Sequence, residues 1–539
     1  MKGIVTTNEE WLYPDSELGQ LPDAVTIHTA KNGRESVKLV LEAQKENAEI
    51  TINNSDMFTI EQCQLLDVPV EYNTESATAQ DGFFVITDES MPKPDYCTRK
   101  APFRVYDVQK PISGIVQAKN NVYALCLTFC PKPGILPGEY QLQVVIKEKD
   151  SVCLNVIIKV YNVLIPEETL SITNWFSLPN MAAFHNVELN STGFLEVVRQ
   201  YARAMRRVRQ THFFITFDWD KCIIDKDKYI FDFSYLKPII EIFYQEGLTT
   251  MEMGNFAVKH DTLFTDELKC SLNKDLTISS DEGYYFTAKL IQELAAFLKT
   301  NNWLDKVIFH ICDEPDVHIK SVEALEKRKQ QYFKIANLLR KYIPGCKVIE
   351  AVKSSEFKSG IDIWVPLTTN YEEFKEDFDR LIKLGDEVWI YVCCCPSGYY
   401  LNRFLDIELI RSRLIFWGCS FYNLAGYLHW GFNYYPENKN PFEQSCSPNN
   451  TGHGTTYPSG DAYIVYPGDN GDVWPSVRFE AQRRGAEDFE LLRLIKEKDI
   501  DIYNNLVNKV FRSNSDYMHD SAEFEKVRIE ILSILEKLA

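Results

Sequence analysis

The stretch KVIFHICDEP (306–315) decides how this chain is read. Its centre, VIFHIC, is apolar almost throughout, as in a strand covered on both faces, and Pro315 ends the ladder directly after two acids, Asp313 and Glu314. Seven other stretches repeat this rhythm of a short apolar run: SITNWFSL (171–178), FFITFDW (213–219), TTMEMGNFA (249–257), KVIEAV (347–352), DIWVPLT (362–368), EVWIYVCCCP (387–396) and GYLHWGFNYY (426–435). Between most of them lie apolar stripes at helical spacing, such as Phe194, Val197, Val198, Tyr201, Met205 and Val208. Eight strand–helix units predict a (β/α)8 TIM barrel over 169–495.

The flanks read differently. Up to Val163 the sequence alternates as strands do, in SVKLVLEA (36–43), EITINN (49–54), PFRVYDV (102–108), NVYALCLTF (121–129), EYQLQVVIKE (139–148) and SVCLNVIIKVYNV (151–163). Without a convincing helix, this predicts an N-terminal β-sandwich over 1–165, read as a packing buttress in preference to a carbohydrate-binding module. A short link, LIPEE (164–168), leads into the barrel. From Pro475 onward the pattern is that of the last barrel helix plus one C-terminal packing helix, with 496–539 as a helical tail on the barrel.

Composition narrows the function. The 539 residues exceed one ordinary core, and 58 basic against 77 acidic residues give a net charge of -19, which disfavours nucleic acid and anionic membrane surfaces as partners. No stretch approaches the roughly 20 apolar residues of a membrane span, and the opening MKGIVTTNEEWLYPD lacks a secretory apolar region. The expected location is cytoplasmic, with a trimmed secreted chain as the alternative. Many of the 14 cysteines sit in apolar runs, as reduced cysteines do, and no Cys or His spacing suggests zinc. No metal and no cofactor are expected. Cys393 to Cys395 are not read as a redox centre, because consecutive residues on a strand point alternately. His310 and His429 are read as barrel-lining residues. The oligomeric state is not legible.

Side chains at the carboxyl ends of barrel strands line the active site, and that rule singles out Asp313 and Glu314. For neighbouring residues to serve one pocket, the strand must twist or bulge where they lie. Two close carboxylates in a partly dry pocket have their pKa values driven apart, leaving one as a general acid near neutral pH. The alternative is that Asp-Glu-Pro caps the next helix. Other strand ends carry amides, acids and aromatic rings: Asn174 and Trp175, Asp218 and Trp219, Trp364, Trp389 and Tyr391, then His429, Trp430, Asn433 and Tyr434. Flat rings suit the C–H faces of a pyranose and polar groups bind its hydroxyls, although packed barrel layers claim about half such rings. A sugar is the expected ligand, with Trp430 the preferred stacking platform.

Three segments, HICDEP (310–315), GYLHWGFNYY (426–435), and GDAYIVYPG (460–468) followed by SVRFEAQRRGAEDFELL (476–492), resemble glycoside hydrolase family 123, the β-N-acetylgalactosaminidases. The resemblance covers essentially the whole chain. It implies a retaining mechanism in which the substrate's 2-acetamido oxygen attacks the anomeric carbon to give an oxazolinium ion, an exception to the two-carboxylate scheme. By position, Asp313 would orient the acetamide and stabilise its charge, while Glu314 would protonate the leaving oxygen and later activate water. Tyr391 would hydrogen-bond the acetamide oxygen, Trp430 would support the ring and Asn433 would bind a hydroxyl. Asn174, Trp364 and His429 complete the expected substrate-binding set, and Asp461 in the Gly-Asp turn is a further candidate. Arg478, Glu480, Arg484 and Asp488 read as i, i+4 ion pairs along a helix.

Three functions follow as expectations. One is an exo-acting β-N-acetylgalactosaminidase on terminal β-GalNAc of glycans or glycolipids. The second is a glycosidase of different sugar specificity on the same scaffold, and the third a noncatalytic glycan-binding protein. Loops at 259–282 and 436–460, the latter with Pro436, Pro441, Pro448 and Gly452, are candidates for pocket covers.

Overall fold

A computed structural model describes residues 2–78, 84–148, 151–217, 222–225, 228–259, 265–448 and 456–538. Asp218, Trp219 and Gly452 lie outside those residues.

All eight barrel strands form where the apolar runs place them: β1 (Ser171–Asn174), β2 (His212–Ile215), β3 (Thr250–Gly254), β4 (Val307–His310), β5 (Lys347–Val352), β6 (Ile363–Pro366), β7 (Glu387–Tyr391) and β8 (Gly426–His429). Neighbours pair in parallel from β2 through β8, and β8 pairs in parallel with β1. The ring closes between β1 and β2 at Thr211, whose N–H donates to the Ile172 carbonyl (3.1 Å) and whose hydroxyl accepts from the Ile172 N–H (2.9 Å). Every described strand residue on β2, β4, β6 and β8 is buried, as expected of strands covered by side-chain layers inside and helices outside.

The helices pack through the stripes seen in the sequence. In α1 (Thr192–Arg207), Phe194, Val197, Val198, Tyr201 and Met205 face the sheet, and Ser191 caps the first turn by accepting from the Phe194 N–H (3.1 Å). Residues 353–362, between β5 and β6, form turns with no helix. The tail differs from the expected single helix: α2 (Val477–Lys498) closes the barrel, and two further helices follow, Ile500–Val510 and Ser521–Leu538. No helix of the described residues is long and apolar enough to cross a membrane.

The N-terminal part is strand-rich, with a six-stranded and a five-stranded sheet packed face to face. Glu35–Glu42 shows how it joins the barrel. Val37, Leu39 and Leu41 point into the sandwich core, whereas Val40 points the other way, into a cluster with Leu405, Leu409, Tyr463, Tyr466 and Val477. Both faces of that sheet are therefore buried, which explains why Leu39, Val40 and Leu41 are apolar in succession; the one charge in the run, buried Lys38, donates to the Glu10 carbonyl (2.7 Å). The longest strands that the sequence reading missed are Lys2–Thr6, Ala24–Ala30 and Phe58–Val70. The last is 13 residues long but is disguised by Glu61, Gln62, Gln64 and Pro69 and by a bulge between Leu66 and Asp67.

α2 is not the solvent-facing helix that its charge spacing suggested. Arg478, Glu480, Arg484 and Asp488 are all buried and reach outward to other elements. Arg478 pairs with Asp107 of the sandwich (2.8 Å), and Asp488 takes Arg413 (2.7 Å) and Arg528 (3.0 Å). Arg484 meets Glu9 (2.8 Å), Glu35 (2.9 Å) and Glu525 (3.1 Å), while Glu480 meets Arg207 (2.6 Å) and Arg483 (2.7 Å). These pairs couple sandwich, barrel and tail, because stranding any one partner leaves an uncompensated buried charge.

Candidate active site

Beyond His310 the chain leaves the ladder, and at Glu314 it takes φ = 53°, a left-handed backbone worth about 1–3 kcal/mol of strain for a residue with a side chain. This is the irregularity that lets neighbouring acids face one cavity. The turn is held from below: buried Arg328 donates to the carbonyls of Pro315 (3.2 Å) and Val317 (3.1 Å), and Asp316 accepts from the N–H groups of Lys353 (2.8 Å) and Ser354 (2.7 Å). The following helix, Val322–Tyr342, is capped by Ser321, so neither Asp313 nor Glu314 serves as its cap.

Both acids line a cavity of about 300 Å³ at the carboxyl end of the barrel. Among the described residues lining it they are the only carboxylates. Trp175, Tyr391, Trp430, Tyr434 and Tyr457 supply aromatic walls. The Trp430 ring stands 5.3 Å from that of Tyr434 and 5.2 Å from that of Tyr457. Tyr391 donates its hydroxyl to Glu314 Oε1 at 2.8 Å, and Lys259 Nζ donates to the Glu314 carbonyl at 3.2 Å.

A buried charge cluster lies behind Asp313. His310 Nε2 is 3.6 Å from Asp313 Oδ1, while its Nδ1 lies 3.1 Å from the Ile349 carbonyl and 3.5 Å from both Glu252 Oε1 and Glu350 Oε2. Burial pulls the imidazole pKa down, but Glu350, Asp313 and Glu252 outweigh it and raise the value to about 9. Burial also raises Asp313, whose side chain is 43% exposed, yet His310 and Lys259 hold it below the usual carboxylate range. Glu252, buried and bonded by the Trp175 indole N–H (3.2 Å), is pushed up by burial to about 7. Glu350 is likewise raised by burial, although it accepts from the N–H groups of Ile311 (2.7 Å) and Cys312 (2.9 Å). The result is an ionised Asp313 backed by a buried cation.

Of the residues expected from sequence, Asp313, Glu314, Trp175, Tyr391, Trp430 and Tyr434 line the cavity, whereas Asn174, Trp364, His429, Asn433 and Asp461 do not. Trp364 is buried in the outer core, its indole N–H on Asp386 (3.0 Å). Asn174 bonds Gln210 and Arg403, and Asn433 ties strand end to loop by accepting from the Ser177 N–H (2.8 Å). His429 and Asp461 are both fully buried, Nε2 to Oδ1 3.4 Å, and neither lines the cavity. Glu252, Glu350, Lys259 and Phe84 escaped the sequence reading. The first two carried a signal, a lone acid inside an apolar strand, which burial requires to be paired. Phe84 carried none, since it comes from the N-terminal part. Its hairpin docks on the barrel mouth, with the Thr74 N–H on Asp406 (2.7 Å) and the Ala77 N–H on the Ser397 hydroxyl (2.7 Å).

A family model described as glycoside hydrolase 123, catalytic domain, matches residues 175–495. Among solved structures, the fold is similar to that of a family 123 glycoside hydrolase from Clostridium perfringens, the subject of a study of glycolipid glycan hydrolysis. The TM-score is 0.72 at 14% identity, covering 99% of this chain and 97% of that one. A family 39 glycoside hydrolase from the gut symbiont Bacteroides cellulosilyticus WH2 matches at a TM-score of 0.39 and 10% identity, over 87% of this chain and 82% of that one. A β-galactosidase from the psychrophilic Marinomonas ef1 matches at 0.41 and 11% identity, over 62% and 61%. Scores this low do not bear on the present fold. No curated protein sequence matches the chain.

Proposed function

The chain belongs to glycoside hydrolase family 123, and from that premise we propose that it is a retaining, exo-acting β-N-acetylgalactosaminidase that removes terminal β-GalNAc from glycans or glycolipids. The observation that carries this reading is that the acids facing the cavity are adjacent in sequence, on one turn after β4. A direct nucleophile would be expected about 5–5.5 Å from the acid across the sugar, and an inverting base farther away. Neighbouring acids on one side suit a reaction whose nucleophile belongs to the substrate.

In this mechanism the acetamido oxygen attacks the anomeric carbon. Asp313, kept ionised by His310, orients the acetamide N–H and stabilises the positive charge that develops on it. Glu314 gives its proton to the leaving oxygen, then takes one from the water that opens the oxazolinium ion. Tyr391 donates to Glu314 when that group is ionised. Once Glu314 is protonated it becomes the donor, which frees the phenolic proton for the acetamide oxygen. Trp430, braced by Tyr434 and Tyr457, forms the platform under the pyranose ring.

The test is a panel of nitrophenyl β-GalNAc, β-GlcNAc and β-galactoside with wild type, Asp313→Asn and Glu314→Gln. Only acetamido sugars should turn over. Glu314→Gln should lose far less activity on these good leaving groups than on natural glycans, which need the proton. Equal turnover of the β-galactoside would refute the substrate-assisted step, and binding without any turnover would refute the enzyme.

A further inference from the structure

EVWIYVCCCP places three thiols in succession, and strand alternation predicts that their side chains diverge. They converge instead. β7 ends at Tyr391, and the chain then folds into a tight turn in which the Cys393 N–H donates to the Cys395 carbonyl (2.8 Å). The Asn402 side chain clamps this turn by donating to the carbonyls of Cys393 (2.9 Å) and Pro396 (2.8 Å). Cys393 Sγ consequently lies 3.8 Å from Cys394 Sγ and 3.7 Å from Cys395 Sγ, with all three within 4.8 Å of one another. None is in a disulfide, and all three are buried.

A tetrahedral ion with metal–sulfur bonds of about 2.3 Å holds its sulfurs about 3.8 Å apart. Two of the three separations match that edge and the third is no more than 4.8 Å, so the sulfurs are placed to close on a soft cation. Cys393 and Cys394 also line the cavity that holds Asp313 and Glu314, so an ion bound by the three sulfurs would lie at the wall of that cavity. A buried carboxylate stands on the same side of the barrel. Asp461 is fully buried, with His429 Nε2 3.4 Å from its Oδ1, and it interacts electrostatically with Cys393.

We propose that Cys393, Cys394 and Cys395 form a three-thiolate site for a soft divalent cation such as Zn²⁺ or Cd²⁺, and that an ion held there blocks sugar binding. As the ion binds, each thiol releases its proton to solvent and its sulfur lone pair forms the new bond. No oxidant or reductant is needed.

The experiment titrates Cd²⁺ into reduced, chelator-treated full-length protein, following thiolate-to-cadmium charge-transfer absorption and, separately, hydrolysis of a nitrophenyl glycoside. We expect one ion per chain, inhibition competitive with substrate, and recovery on adding a chelator. Cys393→Ala, Cys394→Ala and Cys395→Ser should each weaken binding by more than the roughly 10–100-fold that loss of an outer-shell partner costs. Cys153→Ser, at an exposed thiol, should leave the titration unchanged. Absence of charge-transfer absorption in the wild-type protein would overturn the proposal, whatever its activity. So would undiminished inhibition in the folded cysteine variants, since the ion would then sit on Asp313 and Glu314.

Discussion

Replacing His310 with glutamine separates the chemistry of the site from its stability. The imidazolium stands 3.6 Å from Asp313, and at an effective dielectric of about 20 the Coulomb energy of such a pair is roughly 4–5 kcal/mol. The Asp313 side chain is 43% exposed, so solvent screening reduces this to about 1.5–2 kcal/mol, or roughly 10–30-fold in kcat/KM. His310→Gln should therefore lower kcat/KM on nitrophenyl β-GalNAc by that factor. The same variant leaves Glu252 and Glu350 buried without their cation, at about 3–5 kcal/mol of stability. Adding Glu252→Gln and Glu350→Gln should restore the melting temperature but not kcat/KM. The pH profile gives a second readout. The folded pKa of His310, about 9, lies above the ordinary 6.5, so its stabilising contribution is complete below pH 6.5 and is lost as pH rises through 9. Wild-type activity should fall along that limb, and His310→Gln should flatten it. A variant within twofold of wild type, with the alkaline limb intact, would refute the assignment of His310 as the group that positions and charges Asp313.

Other perturbations test other parts of the structure. Burial raises the Glu480 pKa, but Arg207 and Arg483 more than offset this and hold it at about 2 against an ordinary 4.5, worth about 3 kcal/mol. Glu480→Gln should cost about that much in denaturant unfolding at pH 7, and the difference should shrink as pH falls from 4.5 through 2; a constant difference would contradict the pairing. Trp430→Ala should raise KM by about tenfold or more, the 1–2 kcal/mol of a lost stacking platform, with melting barely changed, whereas an unaltered KM would remove Trp430 from the sugar site.

The barrel was legible because its strands are covered on both faces, so each appears in the sequence as an unbroken apolar run. That Asp313 and Glu314 line the cavity was legible because barrel geometry fixes which end of the strands forms it. What stayed hidden depends on pairing between distant segments. Glu252 and Glu350 are conspicuous acids in TTMEMGNFA and KVIEAV, but only the ring of strands shows that both meet His310. Trp364 looked like Trp430 because both lie in or next to apolar strands, yet one packs in the outer core and the other lines the cavity. The convergence of the three consecutive sulfurs was not legible because alternation holds only while the ladder continues, and the ladder stops two residues before Cys393. α2 was misread because its spacing fits an isolated helix, and nothing local announces that Asp107, Glu9 and Glu35 surround it.

The aromatic ring that the N-terminal hairpin extends over the barrel mouth bears on how this protein can be taken apart. Phe84 stacks 6.2 Å from Tyr457 and forms part of the pocket wall, so the upstream segment is a component of the cavity as well as a support. Transplanting the downstream segment alone onto a foreign partner would produce an open-sided receptacle, whereas exchanging the hairpin between relatives would reshape that wall while leaving Asp313 and Glu314 in place.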